Sequence, residues 1–168
     1  MRRLRQVVFT ILFFQCAAFH ASAEQRGQNP AGVSPHPYVF HLVQATLWDA
    51  AVASGTVYYP PTYQVDGFTH GTSNPDKLLN VANHFYPEVE GHWYCLRMTV
   101  DSLAQTGVTT IFEGTAPVGD IQPDFEGADD ELFPHIMGGI SPAAVLETHE
   151  VVRDADGAYV SIVGVTQP

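Results

Sequence analysis

Val145-Leu146-Glu147-Thr148-His149-Glu150-Val151-Val152 and Ala158-Tyr159-Val160-Ser161-Ile162-Val163 lie near the end of the chain, separated by Arg153 and Asp154-Ala155-Asp156-Gly157. Both runs are rich in β-branched and aromatic residues, the types that fit a pleated surface. The Asp-x-Asp-Gly between them supplies turn chemistry, with carboxylates to hold local N–H groups and a glycine free of steric limits. Two strands joined this closely pair antiparallel. Working outward, residues 108–113 and 92–100 also read as strands, the latter centred on the apolar Trp93-Tyr94-Cys95-Leu96. The second half of the chain is therefore mainly strand.

The first half mixes elements. Tyr38-Val39-Phe40-His41-Leu42-Val43 reads as a strand. Thr46 with Asp49 three residues on fits a capping box, predicting a short helix through Ala53 with Gly55 as its C-cap. Val57-Tyr58-Tyr59 is a short extended piece stopped by Pro60-Pro61, and Gly67-Phe68-Thr69-His70 is a second short strand. Ser73 stands three residues before Asp76, with Pro75 in the first turn, so Ser73 is expected to cap a second helix. That helix carries Leu78, Val81, Ala82 and Phe85 on one face and ends by Pro87. Residues 114–130 are a Gly-, Pro- and Asp-rich loop, and order resumes at Glu131-Leu132-Phe133-Pro134-His135. The whole pattern argues for an α+β fold, with small, mainly antiparallel sheets and two short helices, rather than a doubly wound sheet.

The first residues follow a different logic. Arg2, Arg3 and Arg5 precede an apolar run from Val7 to Phe19, and Ala21-Ser22-Ala23 offers a cleavage site. This order predicts a signal peptide over residues 1–23 and a secreted or exported product. The run is shorter than the roughly 20 residues that span a bilayer, so no stable membrane insertion is expected after cleavage. Residues 24–37 read as a flexible leader and residues 38–165 as one domain. Cleavage would leave Arg26, Lys77, Arg97 and Arg153 as the strong cations against 18 acidic residues, a formal charge of −14. Such a surface repels phosphate backbones, so nucleic acid is not an expected partner. Cys16 would leave with the signal, so Cys95 has no disulfide partner and reads as a core thiol.

Three segments place polar residues among core-like neighbours: Tyr38-Val39-Phe40-His41-Leu42, Gly67-Phe68-Thr69-His70-Gly71-Thr72-Ser73, and Glu131-Leu132-Phe133-Pro134-His135-Ile136-Met137-Gly138. In this order and at these separations they resemble the domain of unknown function 952 family, across about residues 38–152. Phe112-Glu113 falls where that family tends to carry an aromatic–acid pair. Gly71 stands where the family often has cysteine, so no thiol chemistry is assigned there. The resemblance implies an ADP-ribosyltransferase-like fold, in which a nucleotide such as NAD binds in a cleft between two small sheets. It also implies that His41 holds a ribose hydroxyl.

Read from the residues, an imidazole can donate one hydrogen bond and accept another. His41 can do so for a ligand, or it can be a satisfied core histidine. His70, Thr72 and Ser73 precede a helix start, where free N–H groups suit an anion, and Gly71 permits close approach. The alternative is that Ser73 only caps and His70 only packs. Glu131 and His135 flank Pro134, so Glu131 can orient the imidazole or act as a general base, unless both merely tie down a turn. Glu113, an expected strand-end acid, can stabilise developing positive charge in glycosidic-type cleavage, or can be an ordinary surface acid.

No HExxH motif and no tight histidine cluster is present, so no metal residue is assigned. No cofactor is assigned; NAD is a candidate substrate. The expected function is a histidine-lined small-ligand pocket built by His41, His70, Thr72, Ser73 and His135. Glu113, Glu131 and His135 are the candidates for ADP-ribosyl-type transfer or hydrolysis. A non-catalytic secreted binding module and a metal-dependent hydrolase are the alternatives. The oligomeric state stays open.

Overall fold

The computed structural model describes residues 34–167; the expected signal segment and residues 24–33 of the leader lie outside the described residues. Seven strands form two sheets. The larger has the order β1 (Val39–Gln44), β3 (Trp93–Met98), β6 (Glu147–Arg153) and β7 (Tyr159–Ile162). The smaller has the order β2 (Thr69–His70), β5 (Phe133–Ile136) and β4 (Thr110–Glu113). Every strand pairing is antiparallel, as the closing hairpin predicts. In that hairpin the Asp154 carboxylate accepts from the N–H groups of Asp156 and Ala158, and Gly157 takes φ +87°.

β1 is apolar apart from His41 and Gln44, because residues 39–43 are buried on both faces. Val39 and Val43 join a cluster with Leu96, Met98, Leu103 and Ile136, while Phe40 and Leu42 join Leu78, Trp93, Cys95 and Ile162. Each fully buried aliphatic side chain contributes roughly 1.5–3 kcal/mol over its exposed state. His41 alternates with Phe40 and Leu42, on the same side as Val39 and Val43, so a polar side chain is carried into the interior by strand periodicity. Cys95 is fully buried, and burial pushes its thiol well above the usual range.

The helices depart from expectation in four places. α1 (Ala45–Ser54) begins one residue before Thr46, with Gln44 at its N-cap and no side-chain cap bond. Pairing of Gln44 with Trp93 and a bond from the Ala45 N–H to the His92 carbonyl set that start. Tertiary contact thus overrides the local capping pattern. Gly55 does close the helix, in the left-handed region at φ +66°. A one-turn α2 (Tyr63–Asp66) follows the proline pair.

Asn74, not Ser73, caps the entry to α3 (Leu78–Phe85): its side chain accepts from the Asp76 N–H at the start of a 3-10 turn, Pro75–Lys77. The chain after β3 turns into α4 (Val100–Gln105) rather than continuing as strand, because Thr99 and Ser102 form a reciprocal capping box. Among the described residues four α-helices therefore stand where two were expected. No helix among the described residues is long and apolar enough to cross a membrane.

Candidate functional site: a histidine-lined cleft between the sheets

The two sheets are stitched together at one place. Phe40 on β1 and Thr72 beyond β2 exchange both backbone bonds, at 2.8 and 2.9 Å. One residue along, His41 donates from Nδ1 to the His70 carbonyl at 2.7 Å. Gly71 lies between these contacts, and its N–H reaches the Pro134 carbonyl at 2.9 Å. A Cβ on Gly71 would stand 2.9 Å from that oxygen and 3.1 Å from Val39 Cγ1. The expected close approach at Gly71 is therefore made by the neighbouring strand.

A cleft opens beside this seam in two chambers. The inner one, about 40 Å³, has His41, His70 and His135 in its wall, with Gly71, Thr72 and Phe133. It has room for a few waters or a hydroxyl-bearing group. The outer one, about 330 Å³, is walled by Tyr58, Phe85, Tyr86, Trp93, Val118 and their neighbours. His41, Leu42, Phe85, Tyr86 and Val118 belong to both walls.

Each imidazole has one nitrogen committed. The His41 Nδ1–H donates to a carbonyl, which leaves Nε2 as a bare acceptor, and that atom is buried with no partner. Burial lowers the His41 pKa to about 4, so the ring is neutral. His70 Nε2 donates to Asp66 Oδ2 at 3.1 Å. The second Asp66 oxygen accepts from the Gly119 N–H at 3.0 Å, tying the loop of residues 114–130 to the site. His135 Nδ1 donates to Glu113 Oε2 at 3.1 Å, and its buried Nε2 has no partner. Burial lowers both of these pKa values, while Asp66 and Glu113 oppose the shift. Phe68 stacks on His135 with ring centres 4.0 Å apart and 19° between planes, which fixes that ring's orientation.

The structure separates the sequence candidates into two groups. His41, His70, Thr72 and His135 line the inner chamber. Ser73 does not: it is buried beside the chamber wall, its hydroxyl without a partner, and the N–H of Asp76 is taken by Asn74. The expected open anion site after Ser73 is thus closed locally.

Glu131 does not meet His135; it accepts from the Asn74 amide at 2.9 Å. Antiparallel pairing of β4 with β5 places Glu113, not Glu131, within reach of His135. Neither carboxylate is in the cleft wall, and neither is any lysine or arginine. Among the described residues no group of three or more His, Cys, Asp or Glu is placed to hold a metal ion.

Asp66, Phe68, Tyr58 and Trp93 were not singled out from sequence. Asp66 stands four residues before His70 and its side chain is only 3% exposed. An acid at helical spacing from a marked histidine was the available signal. Trp93 and Tyr58 gave none, since Trp93 reads as part of an apolar strand and Tyr58 as part of a short extended piece.

A family model described as protein of unknown function (DUF952) matches residues 42–148, more than half of the chain. The chain belongs to the DUF952 family. The crystal structure of protein CC0527 from Caulobacter crescentus is similar to this DUF952 chain at 18% identity and a TM-score of 0.54, over 73% of this chain and 93% of that one. A double mutant of the same protein gives 17% identity and a TM-score of 0.54 over the same shares. At these identities the likeness speaks for the fold of the DUF952 chain alone. No curated protein matches it.

Proposed function

We propose that the protein binds a small molecule of nucleoside or nucleotide type, a hydroxyl group of which enters the inner chamber and meets its three neutral imidazoles. One observation carries this. His41 and His135, brought together from different sheets into the wall of one cavity, each have a committed Nδ1–H and a bare, buried Nε2 without a partner. A buried acceptor without a partner costs roughly 1–3 kcal/mol, and a ligand hydroxyl or amide N–H removes that cost. Thr72 contributes a third short polar side chain to the same wall.

A second reading, ADP-ribosyl-type transfer or hydrolysis with NAD as substrate, is supported by the two imidazole–carboxylate pairs, His135–Glu113 and His70–Asp66. In such a pair the carboxylate fixes the tautomer and stabilises the imidazolium when the ring takes a proton. Against it stands the cleft wall without lysine or arginine, which offers a pyrophosphate no counter-charge. Binding without catalysis is therefore the leading reading. Export by the segment at residues 1–23 belongs to the same proposal, and mass spectrometry of the secreted product tests it by the mass of its first residues.

Melting of the purified protein is followed with ribose, ADP-ribose and NAD, since a ligand that binds only the native state raises Tm. A rise that disappears in His135→Ala supports the inner chamber as the site. Nicotinamide release alongside the rise favours the second reading. No shift with any of the three at millimolar concentration overturns both.

A further inference from the structure

We infer that the free edge of β1 reads the base of an uncharged nucleoside through the main-chain N–H and C=O of Leu42. This site belongs to the small-ligand reading above and rests on it, and it gives the outer chamber an occupant.

The outer chamber lies beyond the edge of the larger sheet. β1 is an edge strand of that sheet, paired there with β3 alone. Side chains alternate along it, so His41 leaves one face and Leu42 the other. The buried clusters follow this division: Tyr58 packs with Val39 and Val43 on the His41 side, and Trp93 packs with Leu42 on the other. Yet His41, Leu42, Tyr58 and Trp93 all stand in the wall of the outer chamber. A cavity that meets both faces of a sheet passes around its edge, and an edge presents main-chain N–H and C=O groups.

Register decides which of those groups are free. In an antiparallel pair, hydrogen-bonded and non-hydrogen-bonded positions alternate. Phe40 gives both its bonds to Thr72, away from β3. Arg97, opposite Phe40 in β3, turns its carbonyl the other way, to the Leu146 N–H. Phe40 and Arg97 are thus a non-hydrogen-bonded pair, and Leu42, two residues on, is in the same phase. Its N–H and C=O point out of the sheet.

Continuing the Phe40–Thr72 bridge would join Leu42 to His70. The His70 carbonyl instead accepts from His41 Nδ1, and among the described residues no bridge forms between Leu42 and His70. Nor does any other described group bond to the Leu42 N–H or C=O. Leu42 is 6% exposed and stands in the wall of both chambers. A buried main-chain donor and acceptor without partners are rare in a folded protein, and here both face one cleft.

A donor and an acceptor on one residue are answered by a partner with the same two groups side by side. The pairing edge of a nucleobase has them: an N–H beside a C=O in uracil, an amino group beside a ring nitrogen in adenine. Phe85 and Tyr86, in both walls, offer rings to a flat base. No Asp, Glu, Lys or Arg stands in either wall, so a phosphate would lose hydration without gaining a counter-ion. The volume of about 330 Å³ suits a small ligand. A base held there leaves a sugar hydroxyl to the inner chamber.

Amide hydrogen exchange tests the free edge first. In the unliganded protein the Leu42 N–H should exchange faster than those of His41 and Val43, which bond to β3 by the same alternation. Uridine and adenosine are then titrated by calorimetry, each beside its 5′-monophosphate and a base-methylated form, 3-methyluridine or N6,N6-dimethyladenosine. At least one nucleoside should bind and slow Leu42 exchange. Its methylated form keeps the ring but loses the donor, and should bind about tenfold more weakly. The monophosphate should also bind more weakly than the nucleoside.

Leu42 protection equal to that of His41 and Val43 in the free protein overturns the inference. So does a methylated form or a monophosphate that binds as tightly as its nucleoside, or nucleoside binding that leaves Leu42 exchange unchanged. Failure of both nucleosides to bind overturns it as well, while a rise in Tm with ribose would leave the inner-chamber reading standing.

Discussion

The His41 imidazole donates from Nδ1 to the backbone carbonyl of His70 across 2.7 Å, so a side chain of the larger sheet satisfies the main chain of the smaller one. This bond joins the sheets and also sets the tautomer that leaves Nε2 bare. Removing it should affect stability and binding differently. His41→Ala deletes a buried donor and leaves a void, and should cost about 2–4 kcal/mol in urea unfolding. His41→Asn places an amide N–H near the position of Nδ1 and should recover part of that loss. Because Asn offers no equivalent of Nε2, ligand binding should stay lost in both. Full binding by His41→Asn would show that the bare nitrogen is not used.

Acid should destabilise the fold through the histidines. In the unfolded chain His41 takes up a proton near its ordinary pKa of about 6.5, whereas in the native state it does so only near 4. The unfolded state therefore binds more protons between these values. The stability from neutral His41 is fully present above about pH 6.5 and is lost as the pH falls to about 4, by ~3 kcal/mol for a shift of this size. His70 and His135 are shifted in the same direction and add to the slope. Urea titrations at several pH values measure it, and His41→Phe should flatten the curve.

Glu113 and Asp66 hold their imidazoles in different settings, and their removal should read differently. The Glu113 side chain is 60% exposed, so Glu113→Gln should change stability little. It should lower the His135 pKa further, because Glu113 opposes the burial shift. The Asp66 side chain is 3% exposed and holds both His70 and the Gly119 N–H. Asp66→Asn should cost about 1–3 kcal/mol. Its amide N–H toward His70 should reverse that ring's tautomer, a change visible in imidazole nitrogen shifts.

Gly71→Ala tests the seam itself. The new methyl would stand 2.9 Å from the Pro134 oxygen and 3.0 Å from its Cγ, so the backbone of β5 or of residue 71 must yield. Overpacking of this kind costs about 1–3 kcal/mol. Hydrogen exchange should show the loss at Gly71 and Thr72, whose N–H groups bond to Pro134 and Phe40. Protection unchanged at those amides would mean that the sheets have room to adjust.

The strands were legible because their signal is local. β1, β3, β6 and β7 lie within two residues of their expected positions, and the Asp154–Gly157 turn forms as its side chains dictate. Helix starts were less legible. Thr46 and Ser73 both have capping chemistry, yet pairing of Gln44 with Trp93 starts α1 early, and Asn74 rather than Ser73 serves the second site. α4 was lost inside a run that reads as strand up to Val100, although Thr99 and Ser102 carried its cap.

By itself the sequence determined the α+β class, the antiparallel pairing and the family motifs that mark His41, His70 and His135, because alternation and turn chemistry act over a few residues. Only the tertiary structure decided that these three histidines share one cavity, since their strands belong to two sheets joined at Phe40 and Thr72. It also decided their carboxylate partners. Glu131 is four residues from His135 in the chain but bonds to Asn74, while Glu113, twenty-two residues away, is delivered by the β4–β5 register. Hydrogen bonds depend on distances in space, and in an antiparallel sheet those distances are set by register rather than by separation along the chain.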